Sequence, residues 1–156
     1  MSDPIETQLV TTAVYQMVKD GLTSLSVAVY DTDIPDGVTP TYPYVVGFQV
    51  EGGGFSGPPL ADPEADIRIA FQWDAVGKQR NQAQWARDRV AKVMVARTGT
   101  GALVVPLGLL LPANYRECGR MMLDGPDGPI LTPPASPGST RLYTVPQRYA
   151  VDITRA

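Results

Sequence analysis

The residues of this 156-residue chain whose types and spacing could support chemistry are carboxylates in two short groups. The first group is Asp31, Asp33 and Asp36, and the second is Asp62, Glu64 and Asp66. Paired carboxylates can hydrolyse a substrate without histidine, and clustered carboxylate oxygens can bind calcium. Neither group has the spacing of an EF-hand loop, and both stand beside proline or glycine, where aspartate stabilises turns. We therefore expect turns at both places and no metal.

Composition restricts the remaining catalytic chemistry. The chain has no histidine and a single cysteine, Cys118, which excludes a Ser-His-Asp triad, a Cys-His dyad and histidine-ligated zinc. A lone cysteine cannot form an intrachain disulfide, and we expect Cys118 to be a buried or neutral thiol. Residues 52–57 match the G-x-G-x-x-G pattern, but Pro58 and Pro59 follow where a nucleotide-binding helix would begin. The sequence therefore predicts a protein that is not an enzyme and needs no cofactor.

The first half of the chain is predicted to contain one helix and three strands. Apolar residues that recur every four positions predict a helix over 4–20. Its start is marked by a capping-box-like pattern at Asp3, Pro4 and Glu6, and Gly21 suits its end. β-branched and aromatic residues predict strands over 25–30 and 44–51, joined by a loop over 31–43. Residues 67–74 alternate apolar and polar side chains, which is the period of a half-buried strand.

The second half is predicted to contain a second helix, a long irregular segment and a last strand. The helix covers 82–96, with Trp85 at the edge of a core-facing stripe formed by Ala83, Ala86, Val90, Val93 and Met94. Residues 98–141 carry seven prolines and weak periodicity, with possible short strands at 103–105 and 115–123. We expect this segment to be a Pro/Gly-rich arm with little core of its own, which gains order mainly on assembly. The last strand covers 142–153, with Pro146 at a bulge or an edge.

This order of elements predicts a single domain over 1–156 with an arm insertion at about 98–141. The expected fold class is α+β, a mainly antiparallel sheet with two helices packed on one face. The longest apolar run, 102–111, contains Pro106 and Gly108 and is far shorter than the roughly 20 residues of a membrane span. We therefore expect no membrane partner and synthesis in the cytoplasm.

Charge is distributed unevenly along the sequence. Residues 1–66 hold ten acidic residues and one basic residue, a net charge of −9, whereas residues 67–156 hold twelve basic and six acidic residues, a net charge of +6. Four of the basic residues fall on the second predicted helix or at its start: Arg80, Arg87, Arg89 and Lys92. Such asymmetry suits contact with nucleic acid, or a head-to-tail contact in which the negative surface of one subunit meets the positive surface of the next. Ordinary solvated surfaces remain the simpler interpretation.

Three short segments, taken in order, carry a resemblance to a known family. The first is Tyr42-Pro43-Tyr44-Val45-Val46, which follows a helix and a strand. The second covers residues 67–75 and the helix over 83–94, and the third is Arg148-Tyr149-Ala150-Val151-Asp152. Together they resemble the second strand, the long strand with its helix, and the last strand of the tail terminator (minor tail, head-tail joining) proteins of tailed bacteriophages. The longer segment 98–141 departs from that pattern.

The resemblance implies a virion structural protein that assembles in the host cytoplasm as a homo-hexameric ring in the tail or neck. The ring would cap the tail tube, stop its polymerisation and join it to the head-tail connector or stopper protein, with non-specific contact to DNA in the lumen. Arg80, Arg87, Arg89 and Lys92 are the candidates for a subunit interface or the lumen. Two alternatives stay open: a head-completion or connector adaptor of the neck, and a carboxylate hydrolase or carbohydrate-binding module that uses Trp73, Trp85 and the tyrosines.

Overall fold

The computed structural model describes residues 5–50, 66–123, 130–132 and 141–155. Within them the helices are α1 (Thr7–Thr23) and α2 (Arg80–Val95). The strands are β1 (Ala28–Asp31), β2 (Tyr44–Val50), β3 (Asp66–Gly77), β4 (Tyr115–Met122), β5 (Ile130–Thr132) and β6 (Leu142–Arg155). Among the predicted positions that lie outside the described residues are Asp3, Pro4, Asp62, Glu64 and the glycine-rich run 52–57.

The strands form one mixed sheet. Its order is β1-β2-β3-β6-β4, and β5 pairs with β6 beside β4. β1 and β2 are parallel, and every other pair is antiparallel. Residues 32–43 connect the parallel pair without a helix. This connection is about as short as a crossover between parallel strands can be. The predicted α+β fold with a mainly antiparallel sheet is confirmed.

One face of the sheet lies under both helices. Side chains alternate along β3, so its buried residues are Ile67, Ile69, Phe71, Trp73 and Ala75. The register with β6 places Tyr149, Val151 and Ile153 on the same face, and each of these buried β3 residues stands opposite a buried residue of β6. They pack with the apolar stripes of α1 and α2 in a single hydrophobic core. The helices therefore cover one face, as predicted.

Helix α1 differs from its prediction at both ends. It begins at Thr7, because Glu6 has an extended backbone (φ −77°, ψ 107°) and no side chain caps the helix. It continues through Gly21 to Thr23. A Cβ at Gly21 would lie 2.5 Å from Cγ2 of Val93 in α2, so this glycine allows close packing of the two helices and does not end the first one.

Helix α2 follows β3 through a tight turn. A Cβ on Gly77 would lie 2.8 Å from the backbone nitrogen of Ala83, and the backbone N–H of Lys78 donates to Oε1 of Gln82 at 2.8 Å. The helix starts at Arg80, two residues before its predicted start, and ends at Val95. Its buried residues are the five predicted ones, because a stripe with helical period turns one face of α2 towards the sheet.

The segment 98–141 is less separate from the domain than expected. Leu107, Leu111 and Tyr115 are buried, and β4 pairs with β6 at the edge of the sheet. The expectation of little core in this segment is therefore wrong for residues 98–123. The predicted strand at 103–105 is reduced to one bridge between Arg97 and Leu103. Residues 124–129 and 133–140 lie outside the described part of the chain.

Pro146 occupies a local edge of β6, as expected for a residue without a backbone N–H. On one side it stands opposite Asp74 in an uninterrupted register with β3. On the other side, β5 pairs with residues 142–144 and β4 pairs with residues 149–155. Proline therefore falls in the interval between two partner strands, where its missing donor costs no ladder hydrogen bond.

Candidate functional site

The four predicted basic residues lie on two different sides of α2. An α-helix turns about 100° per residue, so Arg80 and Arg87, seven positions apart, lie within about 20° of each other around the axis. Arg89 and Lys92 lie within about 60° of each other. Arg87 and Arg89 are separated by about 160°. The helix therefore brings the four residues together as two pairs and does not form one basic patch.

Arg87 interacts with residues of its own subunit. Its Nη1 lies 3.1 Å from Oδ1 of Asp88, and its side chain is only 18% exposed. It is also close enough to Tyr149 for its charge to affect that hydroxyl. Burial raises the pKa of Tyr149, and the positive charge of Arg87 partly opposes the increase. Arg80 is exposed at the first turn of the helix.

The second pair belongs to a surface around Trp85. Asn81, Trp85, Arg89 and Lys92 follow one another at helical spacing and form one stripe on α2, which we call the Trp85 surface. The guanidinium carbon of Arg89 lies 5.2 Å from the centre of the Trp85 ring, within cation–π range. The indole is 37% exposed. A groove of about 480 Å³ beside it is lined by Gln79, Asn81, Gln82 and Trp85.

The Trp85 surface carries two cations that form no ion pair with a described residue. Lys92 is exposed, and no described carboxylate lies within ion-pair distance of Lys92 or Arg89. A partly exposed tryptophan with adjacent cations is typical of the residues that dominate protein–protein contacts. This surface is therefore suited to bind a negatively charged partner that also offers an apolar group.

The first carboxylate group lies in an exposed loop at the edge of the sheet. We call residues 31–38 the acidic loop; Asp31, Asp33 and Asp36 are all exposed in it. The backbone N–H of Thr32 donates to the carbonyl of Gly47 at 2.8 Å, and Oδ1 of Asp33 accepts from the N–H of Ile34 at 2.7 Å. The first contact extends the pairing of β1 with β2, and the bond from the N–H of Asp33 to the carbonyl of Asp31 at 2.7 Å forms a tight turn, as predicted.

The acidic loop has a defined backbone. Thr32 has a φ of 67°, which is uncommon for a β-branched residue and costs about 1–3 kcal/mol. The hydrogen bond to Gly47 holds it in this conformation, and the N–H of Val38 donates to the carbonyl of Pro35 at 3.1 Å. Among the described residues, no three acidic, cysteine or histidine side chains are arranged to hold a metal ion.

The open face of the sheet carries a polar network. Arg68 on β3 donates from Nε and Nη2 to the two carboxylate oxygens of Asp152 on β6, at 2.7 and 2.9 Å. Nearby, the amide of Gln72 donates to Asp74 at 2.8 Å and accepts from Nε of Arg148 at 3.2 Å. Burial raises the pKa of Asp74, and the hydrogen bond from Gln72 opposes the increase. These contacts join β3 to β6 and have a structural role.

Arg120 is a buried charge that sequence reasoning missed. Its Nε lies 2.5 Å from Oε1 of Glu117, and its side chain is fully buried. Its Nη1 donates to Sδ of Met17 at 3.0 Å and to the carbonyl of Val93 at 3.3 Å, and Nη2 donates to the carbonyl of Val105. Burial lowers the pKa of Arg120, and Glu117 opposes that decrease. Arg120 therefore links both helices to the segment before β4.

Two further residues, Cys118 and Trp73, bear on the remaining candidate chemistry. Cys118 is exposed, although its thiol stays neutral because partial desolvation and then the charges of Asp66 and Asp152 raise its pKa. Trp73 is only 2% exposed, and its ring lies over Gly47, where a Cβ would overlap it. Trp73 is thus part of the core and is not available to stack on a ligand.

An apolar groove of about 400 Å³ lies between α1 and the segment before β4. It is lined by Leu9, Thr12, Ala13, Gln16, Leu110, Leu111 and Pro112. Leu109 beside it is 96% exposed. Separately, neither described helix combines the length and apolar character needed to cross a membrane.

Comparison with known proteins adds little to this description. No family model matches the chain, and no curated protein matches it. One solved structure, whose name states no function, aligns with 94% of this chain and 96% of its own chain at 13% identity and a TM-score of 0.46.

Proposed function

We propose that this protein is a virion structural subunit that forms a hexameric ring on the end of a phage tail tube. The proposal starts from the resemblance of three sequence segments to tail terminator proteins. In this proposal, the ring of subunits stops polymerisation by covering the last ring of the tail tube. Its opposite surface contacts the head-tail connector. The partners are other copies of this chain, the tail tube protein and the connector or stopper protein.

One observation carries the proposal beyond the sequence. Tyr44, Val45 and Val46 of the first segment begin β2, residues 67–75 of the second lie in β3, and residues 148–152 of the third lie in β6. These three strands are neighbours in the sheet. Segments far apart in sequence thus form one continuous structural unit, with the helix of the second segment packed on it. This arrangement supports a common origin of the three similarities.

The surface also supports assembly as the function. A ring of identical subunits needs two different surfaces that complement each other, with a rotation that returns to the start. The chain offers an exposed acidic loop and a separate basic, aromatic surface on α2. Arg80 lies away from the Trp85 surface and is the better candidate for contact with DNA in the lumen, because its side chain is exposed.

The test is an early stop codon in this gene in the parent phage, followed by negative-stain electron microscopy of the lysate. We expect overlong tails of variable length, detached from filled heads. Complementation with the wild-type gene from a plasmid is the control, and it restores normal tails.

The other outcomes of this test are also informative. Free tails of normal length beside unjoined or leaking heads would assign the protein to the connector side of the neck. Intact infectious particles would refute a role in virion assembly.

A further inference from the structure

Two surfaces of this protein carry charges that form no ion pair with another described residue. The acidic loop exposes Asp31, Asp33 and Asp36, and the Trp85 surface contains half-buried Arg89 and exposed Lys92. The ion pairs of the described residues are Arg68–Asp152, Arg87–Asp88 and Arg120–Glu117, and none of them joins these two surfaces. Within the part of the chain that the structure describes, the opposite charges of these two surfaces therefore have no ion-pair partner.

The two surfaces also match in their apolar groups. The acidic loop places exposed Pro35 between Asp33 and Asp36, with half-buried Ile34 beside it. The Trp85 surface places a partly exposed indole next to two cations and a groove. Proline packs well on aromatic side chains in recognition grooves. A proline flanked by carboxylates thus complements a tryptophan flanked by cations.

Both surfaces belong to ordered parts of the structure. The hydrogen bond from Thr32 to Gly47 fixes the start of the loop, and the bond from Val38 to Pro35 closes its tip. A loop that is already ordered loses less conformational entropy on binding. The Trp85 surface lies on a helix, which is also rigid. A contact between two rigid surfaces can hold neighbouring subunits at a fixed angle, as a ring requires.

We propose that the acidic loop of one copy docks on the Trp85 surface of the next copy, with Pro35 against Trp85 and the aspartates facing Arg89 and Lys92. The proposal rests on the ring described above and names its subunit contact. The two surfaces are different, so the contact is head-to-tail, and repetition around an axis closes it into a ring. Arg80 and Arg87 lie outside this contact.

The test uses charge reversal in the full-length protein and sedimentation velocity as the readout. The first variant is Arg89→Glu with Lys92→Glu, which makes both surfaces acidic, and the second is Asp33→Lys with Asp36→Lys, which makes both basic. Each variant alone should associate at least about thirtyfold more weakly than the wild type, the size of a hot-spot loss. Mixing the two variants should restore rings, because each interface then joins opposite charges.

A matched control separates this contact from a general effect of charge. The variant Arg116→Glu with Arg141→Glu makes the same change in net charge as the first variant, at exposed positions outside the contact, and it should assemble like the wild type. Rescue on mixing also shows that each single variant is folded. Trp85→Ala changes no charge and should weaken association as well.

Three results would overturn the proposal. If the wild type forms rings and both charge variants do so equally well, the ring stands and the assigned surfaces are wrong. If both variants lose assembly and their mixture does not recover it, the two surfaces do not contact each other. If the wild type remains a monomer at every concentration, both the contact and the proposed ring fail.

Discussion

At the scale of single residues, Arg120 is the charge on which local packing depends most. It is fully buried beside Glu117 and contacts α1, α2 and the segment before β4. A buried ion pair contributes little net stability compared with an apolar pair, but removal of one partner leaves the other charge unpaired in a low-dielectric site. We therefore expect replacement of Arg120 alone to destabilise the protein strongly, and replacement of Arg120 together with Glu117 to cost much less.

We expect Arg120→Met to lower the free energy of unfolding by about 3–5 kcal/mol, measured by denaturant titration. The double variant Arg120→Met with Glu117→Leu should recover most of that loss, because no charge is then left unpaired. Arg116→Met, at an exposed position of the same strand, is the control and should stay within about 0.5 kcal/mol of the wild type. A single variant as stable as this control would contradict the assigned role.

Asp74 predicts a specific dependence of stability on pH. Burial raises its pKa in the folded protein above the ordinary value of 3.8, so the folded state holds the proton more tightly than the unfolded state. This contribution to stability is complete below pH 3.8 and is lost as the pH rises through the folded pKa. The charged form of Asp74 therefore destabilises the protein at neutral pH.

We expect Asp74→Asn to be more stable than the wild type at pH 7, because the amide still accepts the hydrogen bond from Gln72. The advantage should shrink as the pH falls through the folded pKa of Asp74, where the wild-type carboxyl becomes neutral. Chemical denaturation at a series of pH values measures this difference. A constant difference across that pH range would show that the charge of Asp74 has no part in it.

At the scale of elements, the predictability of each helix and strand follows from how regularly its buried side chains repeat. β3 and α2 were predicted well because each turns one continuous apolar face to the core. The start of α1 was misplaced, because a capping-box pattern does not reveal that Glu6 takes an extended backbone. Gly21 was misread as a terminator, since its contact with Val93 is a tertiary one.

β4 shows why the segment 98–123 looked irregular in sequence. Its register with β6 shifts between Glu117 and Gly119, so the helix-facing positions change from Tyr115 and Glu117 to Arg120 and Met122. Two of these four inward positions are charged. A strand whose period breaks and whose inner face holds an ion pair has no alternating apolar pattern to detect.

We expect hydrogen exchange on the free subunit to show β4 as part of the sheet. Backbone amides of β4 that donate to β6 should be protected nearly as well as those of β3, because opening them separates an edge strand from a shared core. The amides of Gly99 and Thr100, in the exposed turn at 98–101, serve as the fast-exchanging reference within the same sample. If the amides of β4 exchange as fast as this turn, the strand is not a stable part of the domain.

At the scale of the whole molecule, the uneven charge along the sequence corresponds to two separate charged surfaces among the described residues. The negative first part supplies the acidic loop, and the positive remainder supplies the Trp85 surface. Residue spacing along α2 already separates Arg80 and Arg87 from Arg89 and Lys92. The ion pair of Arg87 with Asp88 and the orientation of Trp85 depend on packing, which the linear sequence does not specify.

Assembly should change the environment of one tryptophan and leave the other unchanged. Trp85 is 37% exposed and Trp73 is 2% exposed, so collisional quenching by acrylamide in the free subunit reports mainly on Trp85. We expect quenching to fall when rings form at higher protein concentration. Trp73 dominates the fluorescence of a Trp85→Phe variant, whose quenching should be low and independent of concentration. Unchanged quenching of the wild type in assembled rings would place Trp85 outside any subunit contact.

The contact between Thr32 and Gly47 has a consequence for how this protein could diversify. Thr32 is held by the carbonyl of Gly47, and Gly47 in turn lies beneath the Trp73 ring. The base of the acidic loop is therefore anchored in the core, whereas residues 33–38 project outward and only Ile34 among them is partly buried. Exchange of these six positions can alter which surface the loop recognises without repacking the interior. In the proposed ring, a few substitutions at the tip would therefore keep two related proteins in one cell from assembling together, while the scaffold that presents the loop stays the same.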